Sequence, residues 1–409
     1  MNITCAKCHS LLEVNDAALK AGVVCPVCNT KVEVLRDAAT GGGSQTPSCR
    51  RLERPKGFNV LEFFSDVFKR HDDSEIENYF MVGTAKTTPD IFEVDLEWPK
   101  PWVFARLLVA GIAIYYVLTA LWGYWLGKGQ YDILSIPDML IMGAFAVPLA
   151  SAVLFFEMNS RRNVSLYQVI KLIVAGGILS LVLTDFFNVA RPWLIGIFGI
   201  PEAWQASVAG PVEEAAKLAA VLLIVRGTKY RYTLNGLLFG ASVGVGFAMF
   251  ETAGYALREF LSSFAVALGN GTLELARSGK LNDAAFHGGV YLESLKPAVT
   301  KLNEVIVLRG LLAPFGHVAY SAIAVGALWR VKGGERFTWA MLKDARFLGL
   351  FAVAVALHAF WNSPLFPSDG FPWIKVAVVV VIGWGLIFSL VQDGLRQIRK
   401  EQDDVVNAD

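Results

Sequence analysis

The sequence predicts an all-α polytopic membrane protein of about eight transmembrane helices, preceded by a small N-terminal β module. Three observations carry that prediction. Hydrophobic residues make up 54% of the chain and charged residues 18%, a balance too oily for an ordinary soluble protein. Apolar stretches near the roughly 20 residues needed to cross a bilayer recur at 104–126, 133–157, 166–187, 204–226, 233–256, 308–330, 346–363 and 373–395. Four of the five cysteines fall within the first 28 residues, as two CxxC pairs. The net charge of +1 gives no general attraction to polyanions, so no nucleic-acid partner is expected.

Cys5, Cys8, Cys25 and Cys28 form the pattern C-x2-C-x16-C-x2-C. Two such knuckles can place four thiolates tetrahedrally around one ion, and so short a segment has too little core to fold without a staple. A structural zinc ion with a closed shell is expected, with iron or a redox pair as the alternatives open to the same soft donors. The segment resembles the zinc-ribbon module found at the front of many bacterial proteins, which suggests a docking role for a cytosolic protein partner. The ribbon is expected over residues 1–36 and a Gly-, Ser- and Arg-rich flexible linker over 37–57. Cytosolic juxtamembrane helices follow at 58–100, the transmembrane domain at 101–396 and a cytosolic tail at 397–409. Met1 to Lys20 lacks the basic start and apolar run of a secretory leader, which keeps the N-terminus in the cytosol.

Orientation follows from the basic residues. Arg161 and Arg162, then Arg226, Lys229 and Arg231, then Arg330, Lys332 and Arg336, and finally Arg396, Arg399 and Lys400 fall in alternate loops. The positive-inside rule places both termini in the cytosol and the chain in the cytoplasmic membrane. The stretch 257–307 then reads as one long outer loop of mixed charge and weak helical periodicity.

Ionisable residues inside the hydrocarbon cost roughly 2.5–3.5 kcal/mol each on insertion scales, so a group of them needs a reason. The fourth span carries Glu213, Glu214 and Lys217, the fifth Glu251, the sixth His317, and the seventh His358 with Asn362 one turn on. Counting 1.5 Å per residue, all lie about 7–14 Å beneath the outer surface. Taken singly, a glutamate could pair with Lys217, a histidine could serve packing, and Asn362 could cap a helix. Four helices meeting at one depth favour a functional site over those separate readings. Glycines 240, 244 and 246, with Gly316, Ala319 and Ser321, would let the backbones approach around it.

Carboxylates beside imidazoles suit hydrolysis, with a glutamate drawing a proton from water and a histidine facing the carbonyl oxygen. The same set could instead hold zinc with an open position for water, although neither HExxH nor its inversion is present. A proton or ion path in a transporter, or a non-catalytic membrane sensor signalling through the zinc ribbon, are the readings from other classes. The ordered motifs E-E-x-x-K (Glu213, Glu214, Lys217), F-x-x-x-E (Phe247, Glu251), H-x-x-x-S (His317, Ser321) and H-x-x-x-N (His358, Asn362) resemble the PrsW family of intramembrane proteases. That family lies within the wider CAAX protease and bacteriocin-processing group. The resemblance implies Glu213 and Glu214 as the catalytic pair, with Glu251, His317, His358 and Asn362 beside them and Lys217, Phe247 and Ser321 in support. It also implies a membrane-anchored protein substrate, such as an anti-sigma-factor-like regulator, cut near the outer face. A glutamate-type peptidase is the expectation, with a metal-dependent mechanism as its alternative.

Overall fold

The computed structural model describes residues 57–130, 135–280, 284–367 and 371–407, together with four short strand segments near the N-terminus. Two compact units result, Met1–Arg54 and Pro55–Asp409. In the first, β1 (Asn2–Thr4) pairs antiparallel with β2 (Leu11–Glu13), and β3 (Val23–Val24) pairs antiparallel with β4 (Lys31–Val32). Cys5, Cys8, Cys25 and Cys28, the expected zinc ligands, lie outside the described residues.

The second unit is helical. Short helices α1 (Val60–Phe63) and α2 (Asp73–Phe80) begin at Asn59 and Asp72, whose side chains accept backbone N–H bonds of the first turn. Then follow α3 (Val103–Gly127), α4 (Ser135–Met158), α5 (Leu166–Asn188), α6 (Arg191–Phe198), α7 (Ala209–Ile224) and α8 (Thr233–Arg277). The chain closes with α9 (Ala284–Val305), α10 (His317–Lys332), α11 (Ala345–Trp361) and α12 (Trp373–Val406). The start of α3 is pinned by a buried anion: the Glu157 carboxylate accepts the backbone N–H groups of Trp102, Val103 and Phe104, each at 2.9 Å. These are three of the donors that a helix N-terminus leaves without partners. Outside the spans, Asp344 opens α11. The hydrogen-bonded guanidinium of Arg346 holds its carboxyl down at about 2.

Among the described residues six helical runs, rather than about eight, are long and apolar enough to cross a bilayer: α3, α4, α5, α8, Gly288–Lys332 and α12. The stretch expected at 204–226 begins with a 3-10 segment, Glu202–Val208, and leaves α7 only 16 residues. That is about 24 Å of helix, short of a hydrocarbon core of about 30 Å. The stretch expected at 346–363 becomes the 17-residue α11. The expected outer loop at 257–307 is also corrected. α8 runs on for 45 residues to Arg277, and α9 returns beside it, leading through a π-helical turn at Ile306–Gly310 towards α10. A β-carbon on Gly271 would lie 2.4 Å from Val290, so glycine there allows the two arms to close.

The centre of this unit is α8, buried on every side from Tyr232 to Met249, against α10, buried on every side from Val318 to Trp329. Small residues make that contact, as they must where apolar side chains gain little by leaving lipid. A β-carbon on Gly240 would lie 2.1 Å from the Ser321 carbonyl oxygen, and one on Gly244 would lie 2.5 Å from that of His317. On the opposite face Gly246 meets the Ile173 carbonyl, where a β-carbon would lie at 1.9 Å, within the π-helical turn Leu172–Gly176 of α5. We expect Gly240→Ala to lower stability by about 1–3 kcal/mol, the usual cost of overpacking. Gly254→Ala, with nothing within 4 Å, should leave it unchanged. Thermal unfolding in detergent checks the pair, and equal midpoints would refute the close-packing account.

Candidate active site

Glu213 and Glu214 stand in the second turn of α7, and adjacent residues on a helix point about 100° apart. Their environments differ accordingly. Glu213 lines a cavity of about 370 Å³, whereas Glu214 and Lys217 face the protein interior and are fully buried. Gly210 fixes the rotation of α7 by bringing it against α11, where a β-carbon would lie 2.9 Å from the backbone of Ala359 and Val355.

Glu214 is fully engaged. Its Oε1 accepts from Lys217 Nζ at 2.6 Å and lies 2.8 Å from His358 Nδ1, and its Oε2 accepts from Ser321 Oγ at 3.3 Å. A buried charge is tolerable only with such pairing. Lys217 also sits 4.4 Å above the Phe247 ring and 3.1 Å from His317 Nδ1. Phe247 in turn packs on the His317 imidazole, with ring centroids 5.0 Å apart.

The two histidines are held alike. His317, at the first turn of α10, places Nε2 2.9 Å from Glu251 Oε2, and Glu251 pairs with Arg309 Nη2 at 2.5 Å. His358, in the last turn of α11, presents Nδ1 to Glu214 and stacks on Tyr320. The nitrogens not bound by those carboxylates converge: His317 Nδ1 is 3.7 Å and His358 Nε2 3.6 Å from Glu213 Oε2. That oxygen is buried and has no hydrogen-bond partner.

This donor set fits a metal ion. One ligand atom from each of Glu213, His317 and His358 lies within 4.8 Å of the others. Separations of 3.6 and 3.7 Å are long for hydrogen bonds, yet close to the edge of about 3.4 Å expected between tetrahedral ligands bound at about 2.1 Å. The hydrogen bond of Glu214 to the far ring nitrogen fixes the tautomer of His358 as a metal-binding histidine requires, and Glu251 stands at ion-pair distance from the far nitrogen of His317. One contact opposes this arrangement, since Lys217 competes for the His317 Nδ1 lone pair. Its bond to Glu214 is the shorter, at 2.6 Å against 3.1 Å.

All the residues singled out from sequence in the spans therefore gather in one place, with Asn362 at the end of α11 lining the cavity. Two further residues went unnoticed. Arg309, on the π-helical turn before α10, is a charge inside an apolar stretch and lines the cavity. Tyr320 follows His317 by three positions, which puts it on the same helix face, and its buried hydroxyl has no partner. Either spacing or charge could have flagged them.

Residues 164–388 match the family described as PrsW family intramembrane metalloprotease. No curated protein and no solved structure matches the chain significantly. The matched stretch spans more than half of the 409 residues and contains every member of the cavity cluster, from Glu213 to Asn362. With six helical runs long and apolar enough to cross a bilayer among the described residues, this is an integral membrane protein, and the chain belongs to the PrsW family of intramembrane metalloproteases.

Proposed function

We propose that the protein hydrolyses a peptide bond of a membrane-anchored protein, in the cavity lined by Glu213, with Glu213, His317 and His358 holding a zinc ion. The observation that carries this reading is the unpaired, buried Glu213 oxygen facing one nitrogen of each histidine, while a second carboxylate binds each ring from behind. When bound, zinc supplies a Lewis acid for the scissile carbonyl and makes water nucleophilic at neutral pH. The protein's own groups do the rest. Glu214 orients His358, and Glu251 orients His317 while remaining at the cavity wall, where it can take up the proton released from water. The Tyr320 hydroxyl and the Asn362 amide are the donors available to a developing oxyanion. Glu214, initially paired with Glu213 as a catalyst, has its oxygens occupied and is better cast as a positioning residue.

A second reading rests on the contact of Lys217 with His317 Nδ1. If the ammonium keeps that lone pair, Glu213 acts directly on water without a metal and the histidines face the oxyanion. Under either reading the substrate enters beneath the outer face, with both termini in the cytosol. The first 36 residues then form a zinc ribbon on Cys5, Cys8, Cys25 and Cys28 that docks a cytosolic partner, tethered through residues 37–57.

Metal analysis of the purified full-length protein separates these proposals. Two zinc ions per chain are expected, with Cys25→Ser losing one and His358→Ala the other. Chelation should abolish cleavage of a single-pass membrane reporter, and added zinc should restore it. Cleavage that persists in metal-free protein would overturn the zinc mechanism in favour of the glutamate one, and zinc unchanged in Cys25→Ser would overturn the ribbon assignment.

A further inference from the structure

The ends of α7 and α10 remote from His317 enclose a second cavity, of about 440 Å³, lined by Leu222, Arg226, Trp329, Lys332, Arg336 and Phe337. Three cations and no carboxylate line it. Lys332 is only 4% exposed, and its ammonium is held by the carbonyl oxygens of Tyr230 and Gly333 at 3.2 and 3.3 Å and lies 5.5 Å from the Trp329 ring. Arg226 donates Nε to the Leu223 carbonyl, and among the described residues neither arginine has an acidic partner. Neighbouring cations are treated differently. Arg330 and Arg396 both pair with Asp393, and Arg231 pairs with Glu401. Carbonyl dipoles solvate a buried ammonium without neutralising it, so this cavity keeps a positive field that an anion would complete.

We propose that the cavity binds the phosphate of an anionic glycerophospholipid, with Arg226 and Arg336 at its mouth and Lys332 at its base. The flanks argue for a lipid over a free phosphate. Leu223 is 49% exposed beside Arg226, and Trp339, three residues past Arg336, is 76% exposed. Exposed tryptophan at the end of a span marks headgroup depth, and exposed leucine next to it offers a surface for acyl chain. Basic pockets between spanning helices on the side rich in Lys and Arg are suited to anionic headgroups. The proposal does not depend on the chemistry assigned to the Glu213 cavity.

Native mass spectrometry of the full-length protein, equilibrated with equal phosphatidylglycerol and phosphatidylcholine, tests it. Wild type should retain phosphatidylglycerol preferentially, and Arg226→Gln/Arg336→Gln should lose that preference by roughly tenfold. Both substituted side chains are exposed, and an unchanged elution volume and unfolding midpoint would establish that the variant is folded. Equal retention of the two lipids by wild type would overturn the proposal, as would a preference unchanged in the variant. Stabilisation by millimolar inorganic phosphate equal to that by phosphatidylglycerol would assign the cavity to free phosphate and overturn the lipid assignment.

Discussion

Glu214→Ala is expected to destabilise the protein by about 3–5 kcal/mol, because it strands the Lys217 ammonium in a site with no access to water. The loss is mainly the cost of an uncompensated charge rather than the worth of the ion pair. Removing both charges, in Glu214→Ala/Lys217→Met, should therefore restore most of the stability. Activity should not return with it, since His358 has lost the carboxylate that sets its tautomer. Thermal unfolding of both variants in detergent, beside reporter cleavage, reads the two effects separately. A single variant as stable as wild type would refute the buried-pair account, and a fully active double variant would refute the positioning role.

Glu213→Gln should do the opposite. Its Oε2 has no hydrogen bond to lose and its side chain borders the cavity, so the unfolding midpoint should hardly move. Cleavage should fall by about a thousandfold or more, the scale of losing a group that acts on the nucleophile. Loss of one zinc equivalent in the same variant would identify Glu213 as a ligand, and retained zinc with lost activity would identify it as a base. A variant that still cleaves at the wild-type rate would remove Glu213 from the site altogether. Two adjacent, identical letters thus have separable consequences, one in stability and one in turnover.

Much of this was legible in the letters. The i, i+4 and i, i+3 spacings to Lys217 announced an ion pair with one of the two glutamates, which is Glu214, and polar residues at similar depth on four apolar stretches announced their convergence. Which glutamate faces the cavity was not legible. The rotation of α7 is set by Gly210 against α11, a contact between segments about 150 residues apart that no local pattern encodes. Residues 257–307 misled for a different reason: their mixed charges broke the continuous apolar run by which spanning helices are found, although the chain there stays helical through the long arm of α8 and α9. Arg309 was missed at the edge of the expected span 308–330, where a lone arginine reads as an interfacial charge. Tyr320 was lost because an aromatic on a buried helix reads as packing until its hydroxyl is found without a partner.

The glycine ridge of α8 bears on how the protein tolerates change. Acyl chains and leucine side chains are nearly the same solvent to each other, so polarity alone does not tell a membrane helix which face to bury. On α8 the instruction is written as missing atoms at positions 236, 240 and 244, a relief that the contour of α10 fills. Lipid-facing positions on α3 can drift among apolar residues at little consequence, whereas one added methyl on the ridge shifts α10, and with it His317, away from the carboxylates that orient it. The geometry of the chemistry is inherited from the shape of an empty groove.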